Sequence, residues 1–217
     1  MSKNAILLGI VGSILTGFCL LLSGMFFTSV DEIAVHPDYA MAATSSAVTV
    51  SAAVSAAISC STDVAATDFG TWTDTSIKTS TPNASSTMAC ANSSGGCTLY
   101  VKDAGGGGNP GLYKNPDLIE SPDALYNATA TLVAGTEGYG IQAATNTAGS
   151  GAALGIPARY FQTGNTVGGL LITNTAIANT TATTSGREVI VTHKAAVGAT
   201  TPSGSYSDTI TYECTQN

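Results

Sequence analysis

The stretch Val48-Thr-Val-Ser-Ala-Ala-Val-Ser-Ala-Ala-Ile-Ser-Cys60 decides the fold class. Every even position in it is apolar (Val48, Val50, Ala52, Val54, Ala56, Ile58, Cys60), and the odd ones are Ser, Thr or Ala. Side chains of a strand point alternately to its two faces, so a period of two held over 13 residues predicts a β-strand. At about 3.3 Å per residue that strand is about 43 Å long, roughly twice the common length. A single domain rarely pairs so much strand, and neither Pro nor Lys blocks the edge. Val48, Val50, Ala52 and Val54 are therefore expected to act as a donor strand, filling pockets along a neighbour's groove while the main chain completes its sheet.

Outward from this stretch the composition agrees. Of 217 residues, 44% are apolar but only 6% aromatic, so Ala and Gly inflate the apolar share. Charged residues make up 10%, against about 25% in an ordinary soluble domain. Seven basic residues against 14 acidic ones give a net charge of −7, and no basic stretch exists to neutralise phosphates. Nucleic-acid binding is excluded on that ground. Charge-driven disorder is excluded too, because it needs high charge with low hydropathy.

Upstream, Ala5 to Phe27 contains no charge, with Lys3 before it and Asp31 and Glu32 after it, so the amino end stays inside. The run is long enough to span a bilayer, and Ala40-Met41-Ala42 is an A-x-A cleavage site. Residues 1–42 are thus a signal peptide or a membrane anchor, and both readings export the rest to the cell surface or the medium. Leu15-Thr-Gly-Phe-Cys19 is no lipobox, since Phe18 stands where a small residue is needed.

The exported part carries Cys60, Cys90, Cys97 and Cys214, an even number in an oxidising compartment, so two disulfides are expected. Three pairings exist. Cys90 and Cys97 flank the turn-forming Ala-Asn-Ser-Ser-Gly-Gly, which leaves Cys60 for Cys214. A metal site is the rival reading, disfavoured because no C-x-x-C pair or His partner has ligand spacing.

Further strands are expected at Cys97 to Lys102, Ala128 to Val133, Gly138 to Ala143, Ala158 to Gln162, Gly169 to Ile172 and Arg187 to Lys194, each bounded by turn residues. The last puts Val189, Val191 and His193 on one face. No convincing helical period follows Ala42, and the many short strands predict an all-β antiparallel sandwich over residues 60–217, with 43–59 as its N-terminal strand. Asp103 to Asp123, rich in Gly and Pro, reads as a long surface loop outside both sheets.

Chemistry is sparse. No nucleophile elbow, H-E-x-x-H pair or phosphate loop appears, and His193 reads as a buried strand histidine. No enzyme activity and no cofactor are expected. Asp103, Asp117, Glu120 and Asp123 share a stretch but match no calcium loop, so they read as solvated carboxylates. Trp72 with Tyr100, Tyr113, Tyr126, Tyr139 and Tyr160 offers either a sugar-stacking face or, as the plainer reading for Trp72, core bulk. Asn83, Asn92, Asn127 and Asn179 begin N-x-Ser/Thr sequons, which implies surface positions.

Ser203-Gly-Ser-Tyr-Ser-Asp-Thr-Ile-Thr-Tyr-Glu-Cys214 alternates, with Tyr206, Ile210, Tyr212 and Cys214 on one face and Asp208 breaking it. This segment resembles the closing strand of secreted pilin-like subunits, in particular spore coat protein U-like domains and chaperone-usher pilins, which end in Gly-x-Tyr-x-Asp-x-hydrophobic-x-hydrophobic. Asp68-Phe69-Gly70-Thr71, after the long alternating strand and a cysteine, is similar to that group's opening. The likeness covers about a sixth of the chain, and the Cys90/Cys97 pair and the Gly-rich stretch lie outside its pattern. It implies an immunoglobulin-like sandwich that polymerises by lending an N-terminal strand to the next subunit. The expected function is a structural subunit of an extracellular filament or surface coat, its partner another copy of itself. The alternative is a monomeric or membrane-anchored adhesin that binds glycans, touching the membrane only through residues 5–27.

Overall fold

A computed structural model describes residues 49–121 and 128–217, and every regular element among them is a β-strand. In chain order these are β1 (Ala57–Thr62), β2 (Lys78–Thr79), β3 (Ala84–Ala91), β4 (Cys97–Asp103), β5 (Gly111–Lys114), β6 (Asp117–Glu120), β7 (Thr129–Thr131), β8 (Gly138–Thr145), β9 (Ser150–Gly151), β10 (Thr166–Gly168), β11 (Thr175–Asn179), β12 (Thr184–Ala196) and β13 (Ile210–Gln216).

The 13-residue β12 is the spine of the larger sheet. Val189, Val191, His193 and Ala195 fall on its inner face and are buried, as the alternation predicts. It pairs with β3 on one side and β8 on the other, giving the order β1-β3-β12-β8-β10-β7, with β2 and β9 also bonded to β12. The smaller sheet runs β11-β4-β13. Met88, Tyr139, Ile141, Val189 and Val191 of the first sheet meet Leu99, Val101 and Ile177 of the second in one buried cluster. All strand pairs within these sheets are antiparallel. The fold is an antiparallel β-sandwich.

Both expected disulfides are present, Cys60 to Cys214 and Cys90 to Cys97, with Cα separations of 6.0 and 6.2 Å. Each joins the two layers: β1 to β13, and β3 to β4. The Cys90–Cys97 turn is thus a change of sheet rather than a hairpin. It relies on Gly96, whose φ of 75° is open to glycine and at which a Cβ would lie 2.2 Å from the Thr180 carbonyl oxygen.

Several expectations are corrected. The long N-terminal strand is shorter than its alternation: β1 begins only at Ala57. Its neighbour β3 ends at Ala91, the partner of Ala57, because Asn92 with φ 56° turns the chain toward the other sheet. Among the described residues no strand lies opposite residues 49–56, and a strand without a partner has nothing to bond. Ile58 and Cys60 do face the core, on the predicted parity. Ala158 to Gln162 is a turn, since the Tyr160 and Phe161 amides both donate to the Pro157 carbonyl. Gly169 to Ile172 is no strand either, because its bonds go to different elements: the Gly169 amide to Ala128, the Leu170 amide to the Ser121 hydroxyl, and the Leu171 carbonyl to the Asp103 amide. The Gly- and Pro-rich stretch after Asp103 lies outside both sheets but is not merely a surface loop. Its β5–β6 hairpin plants Leu112 and Ile119 in the core.

Candidate functional site

Topology leaves two edge strands side by side. Among the described residues β1 pairs only with β3 and β13 only with β4, and the Cys60–Cys214 bond ties these two edges together. Next to them lies a groove of about 260 Å³ between Val64–Phe69, which follows β1, and Asp208–Tyr212, which leads into β13. Its lining is apolar at Val64, Phe69, Ala84, Leu112 and Ile210, and polar at Tyr139, His193, Asp208 and Tyr212. Phe69 stands edge-on to Tyr139, with ring centroids 6.3 Å apart.

Beneath the groove sits an uncommon feature. Asp103 closes β4 on the inner parity of Leu99 and Val101, and is fully buried. β13 runs antiparallel to β4 with Ile210 opposite Asp103, which brings Asp208, two residues earlier, beside it. One oxygen of each carboxyl is held by backbone: the Gly105 amide donates to Asp103 Oδ1 at 2.5 Å, and the Thr209 amide to Asp208 Oδ1 at 2.7 Å. The other oxygens, Asp103 Oδ2 and Asp208 Oδ2, and the nearby Tyr212 hydroxyl are buried with no partner among the described residues. Unpaired buried polar atoms are rare and costly, and three at one place call for an explanation.

Burial, and then the neighbouring Asp208 carboxylate, pushes Asp103 up to about 8. Asp208 is raised in the same direction, chiefly by burial. Two carboxylates this close and this dry hold a proton between them at neutral pH, because a second charge has neither water nor a cation to stabilise it. Tyr139 and Tyr212 are raised by burial first and by the Asp208 charge second. His193, on β12, is lowered to about 4 by burial and stays neutral, its Nδ1 lying 2.9 Å from the Tyr139 hydroxyl. None of the residues lining the groove is Lys or Arg.

The other expected residues are not drawn together. Val48 lies outside the described residues, as do Asp123, Tyr126, Asn127 and residues 5–27 and 40–42. Val50 and Val54 are exposed, at 89% and 74%, and Ala52 is exposed as well. The acidic group splits: Asp103 is in the core, Asp117 pairs with Lys114 at 2.8 Å, and Glu120 accepts from the Asn109 side chain. Among the described residues no group of three or more His, Cys, Asp or Glu is placed to hold a metal. Of the aromatics expected to offer a sugar-stacking face, Tyr139 and Tyr160 are buried in the core and belong to no surface, while Tyr100 and Tyr113 are half-buried. Trp72 packs against the core edge beside Phe69, its indole N–H donating to the Ser76 carbonyl. Asn83, Asn92 and Asn179 are exposed. Among the described residues no helix is long and apolar enough to cross a membrane.

The described residues form an antiparallel β-sandwich in which β13 is an edge strand and residues 49–56 have no strand partner among the described residues. No protein-family model, curated protein or solved structure matches the chain.

Proposed function

We propose that the chain is a structural subunit of an extracellular filament or surface coat, assembling when the segment ahead of β1 pairs with the open edge of β13 on another copy. One observation carries this reading: residues 49–56 keep an alternating apolar pattern yet have no strand partner among the described residues, within which β13 is bonded on one side only. The lengths agree. Eight residues of donor extend about 26 Å and the seven of β13 about 23 Å, at about 3.3 Å per residue. A contact from one copy's N-terminus to another's groove is heterologous and does not close on itself, so it propagates as a fibre. Two disulfides support an oxidising, exported setting. The likeness of Gly204–Tyr212 to the closing strand of pilin-like subunits supports an immunoglobulin-like assignment of the sandwich.

The test compares the wild-type protein with a Val50→Asp, Val54→Asp double variant by electron microscopy and size-exclusion chromatography. Wild type is expected to form filaments or large oligomers. The variant should stay monomeric with an unchanged melting temperature, because both side chains are exposed in the free subunit. A wild-type protein that stays monomeric at high concentration overturns the reading in favour of a monomeric surface domain.

A further inference from the structure

We infer that the Asp103–Asp208 pair beneath the groove makes strand docking proton-linked: the covered groove requires a proton on the pair, so self-assembly weakens as the pair ionises. This rests on the strand-donation reading above and adds a control to it. Asp208 and Tyr212 line the groove and Asp103 lies directly behind them, fully buried. Asp208 as a whole is only half-buried, so a donated strand covers its remaining exposed side and deepens the desolvation that disfavours the charged form. The docked state therefore holds the proton more tightly than the open one, and by linkage its affinity falls with rising pH.

The surroundings supply no counter-charge. From β8 and β12 the groove receives Tyr139 and neutral His193, from β13 Tyr212, and at its rim Asp68 and Tyr206. The β5–β6 hairpin contributes Leu112 to the lining and the Gly111 amide beside Asp103. The two orphan carboxyl oxygens fit this account: protonated, the pair can share a hydrogen, whereas doubly ionised it sets two negatively charged acceptors against each other.

The experiment measures binding of a labelled synthetic peptide of residues 43–56 to the exported protein carrying Val50→Asp and Val54→Asp, which keeps it from donating its own strand. Fluorescence anisotropy is read at pH 6, 7, 8 and 9, with circular dichroism at each pH to show that the sandwich is intact. Because Asp103 titrates near 8, the affinity should weaken about tenfold between pH 7 and pH 9. Adding Asp103→Asn, or Asp208→Asn if the first variant does not fold, should flatten the curve. Tight binding with the same affinity at every pH overturns the proton linkage and leaves strand donation standing. No binding at any pH overturns both. Recovery of affinity at pH 9 on adding Ca²⁺ overturns the linkage in another way, by showing that a cation rather than a proton neutralises the pair.

Discussion

Replacing Asp103 by Asn should change the shape of the stability–pH curve and not merely its height. Asp103 is fully buried, so its interactions are little screened by solvent. Its carboxyl titrates at 3.8 in an exposed chain and near 8 in the fold. A raised folded value means that stability is fully present below pH 3.8 and is lost as pH climbs toward 8. At about 1.4 kcal/mol per pH unit the whole span is worth roughly 6 kcal/mol as a ceiling. His193 acts with the opposite sign. Its folded value near 4 lies below the ordinary 6.5, so stability is present above 6.5 and lost as pH falls toward 4. Between pH 4 and 6.5 the Asp103 and His193 slopes oppose each other, so wild type should show no net rise. From pH 6.5 to 8 only the Asp103 slope remains, and wild type should lose about 2 kcal/mol. In Asp103→Asn the His193 slope is opposed only by Asp208, so stability should rise from pH 4 to 6.5 by at most about 3 kcal/mol, with the loss above 6.5 much reduced. Asp208 is raised chiefly by burial and also feels Asp103, so the difference between the curves reports the loss of the shared site. Urea titrations at half-unit steps from pH 4 to 9 measure this directly. Curves that run parallel for the two proteins would refute the buried, proton-holding pair.

Two further outcomes test the architecture. Removing the Cys60–Cys214 bond by paired Ala substitutions should cost about 5 kcal/mol against about 2.5 kcal/mol for Cys90–Cys97, because the chain separations are 154 and 7; equal shifts in urea midpoint would contradict the loop-entropy account. Gly96→Ala should lower stability by more than about 1 kcal/mol, since its φ is positive and the Thr180 carbonyl stands where the methyl would go; an unchanged melting temperature would place that turn differently.

How much of this was legible in the sequence depended on what each inner face is made of. β12 was plain because Val189, Val191 and Ala195 alternate with polar residues without a break. β3 was not foreseen, because its inner positions include Ala84 and Ser86, too small to mark a core face, although Met88 and Cys90 share it. Tyr160 and Phe161 have strand propensity, yet Pro157 accepts both of their amides and makes a turn, so tertiary context overrode propensity. Leu112 and Ile119 were hidden in a composition that otherwise signals a loop. For the groove, half the information was local. Asp208 interrupts an inner face, and His193 lies on another. Asp103 also falls on the inner parity of β4, but only the pairing of residue 103 with residue 210 places the two carboxyls together, and no local pattern encodes a register that distant.

Two departures from a finished domain, an open edge and unpaired buried oxygens, meet at the groove, while the unpaired buried atoms of Ser80, Ser86 and Arg187 lie outside its lining. A sandwich closes its edges or blunts them, yet among the described residues β13 is bonded on one side only, and the alternating segment Val48 to Ala56 bears no charge or proline to keep it from pairing. A core satisfies its polar atoms, yet Asp103, Asp208 and Tyr212 hold unpaired oxygens under the groove next to that open edge. Sequences that fold well agree with themselves at every level, and the disagreements that persist collect where the molecule has other work to do. Apolar substitution at Asp103 or Asp208 would relieve the cost of burying these groups, since replacing buried charged groups by well-packed apolar ones is often neutral or stabilising. Their presence is accounted for if the groove has two occupancy states that differ in how much water reaches the pair. An occupant able to make that difference must be extended, uncharged and apolar on alternate residues, and residues 49–56 of a second copy meet each of those conditions.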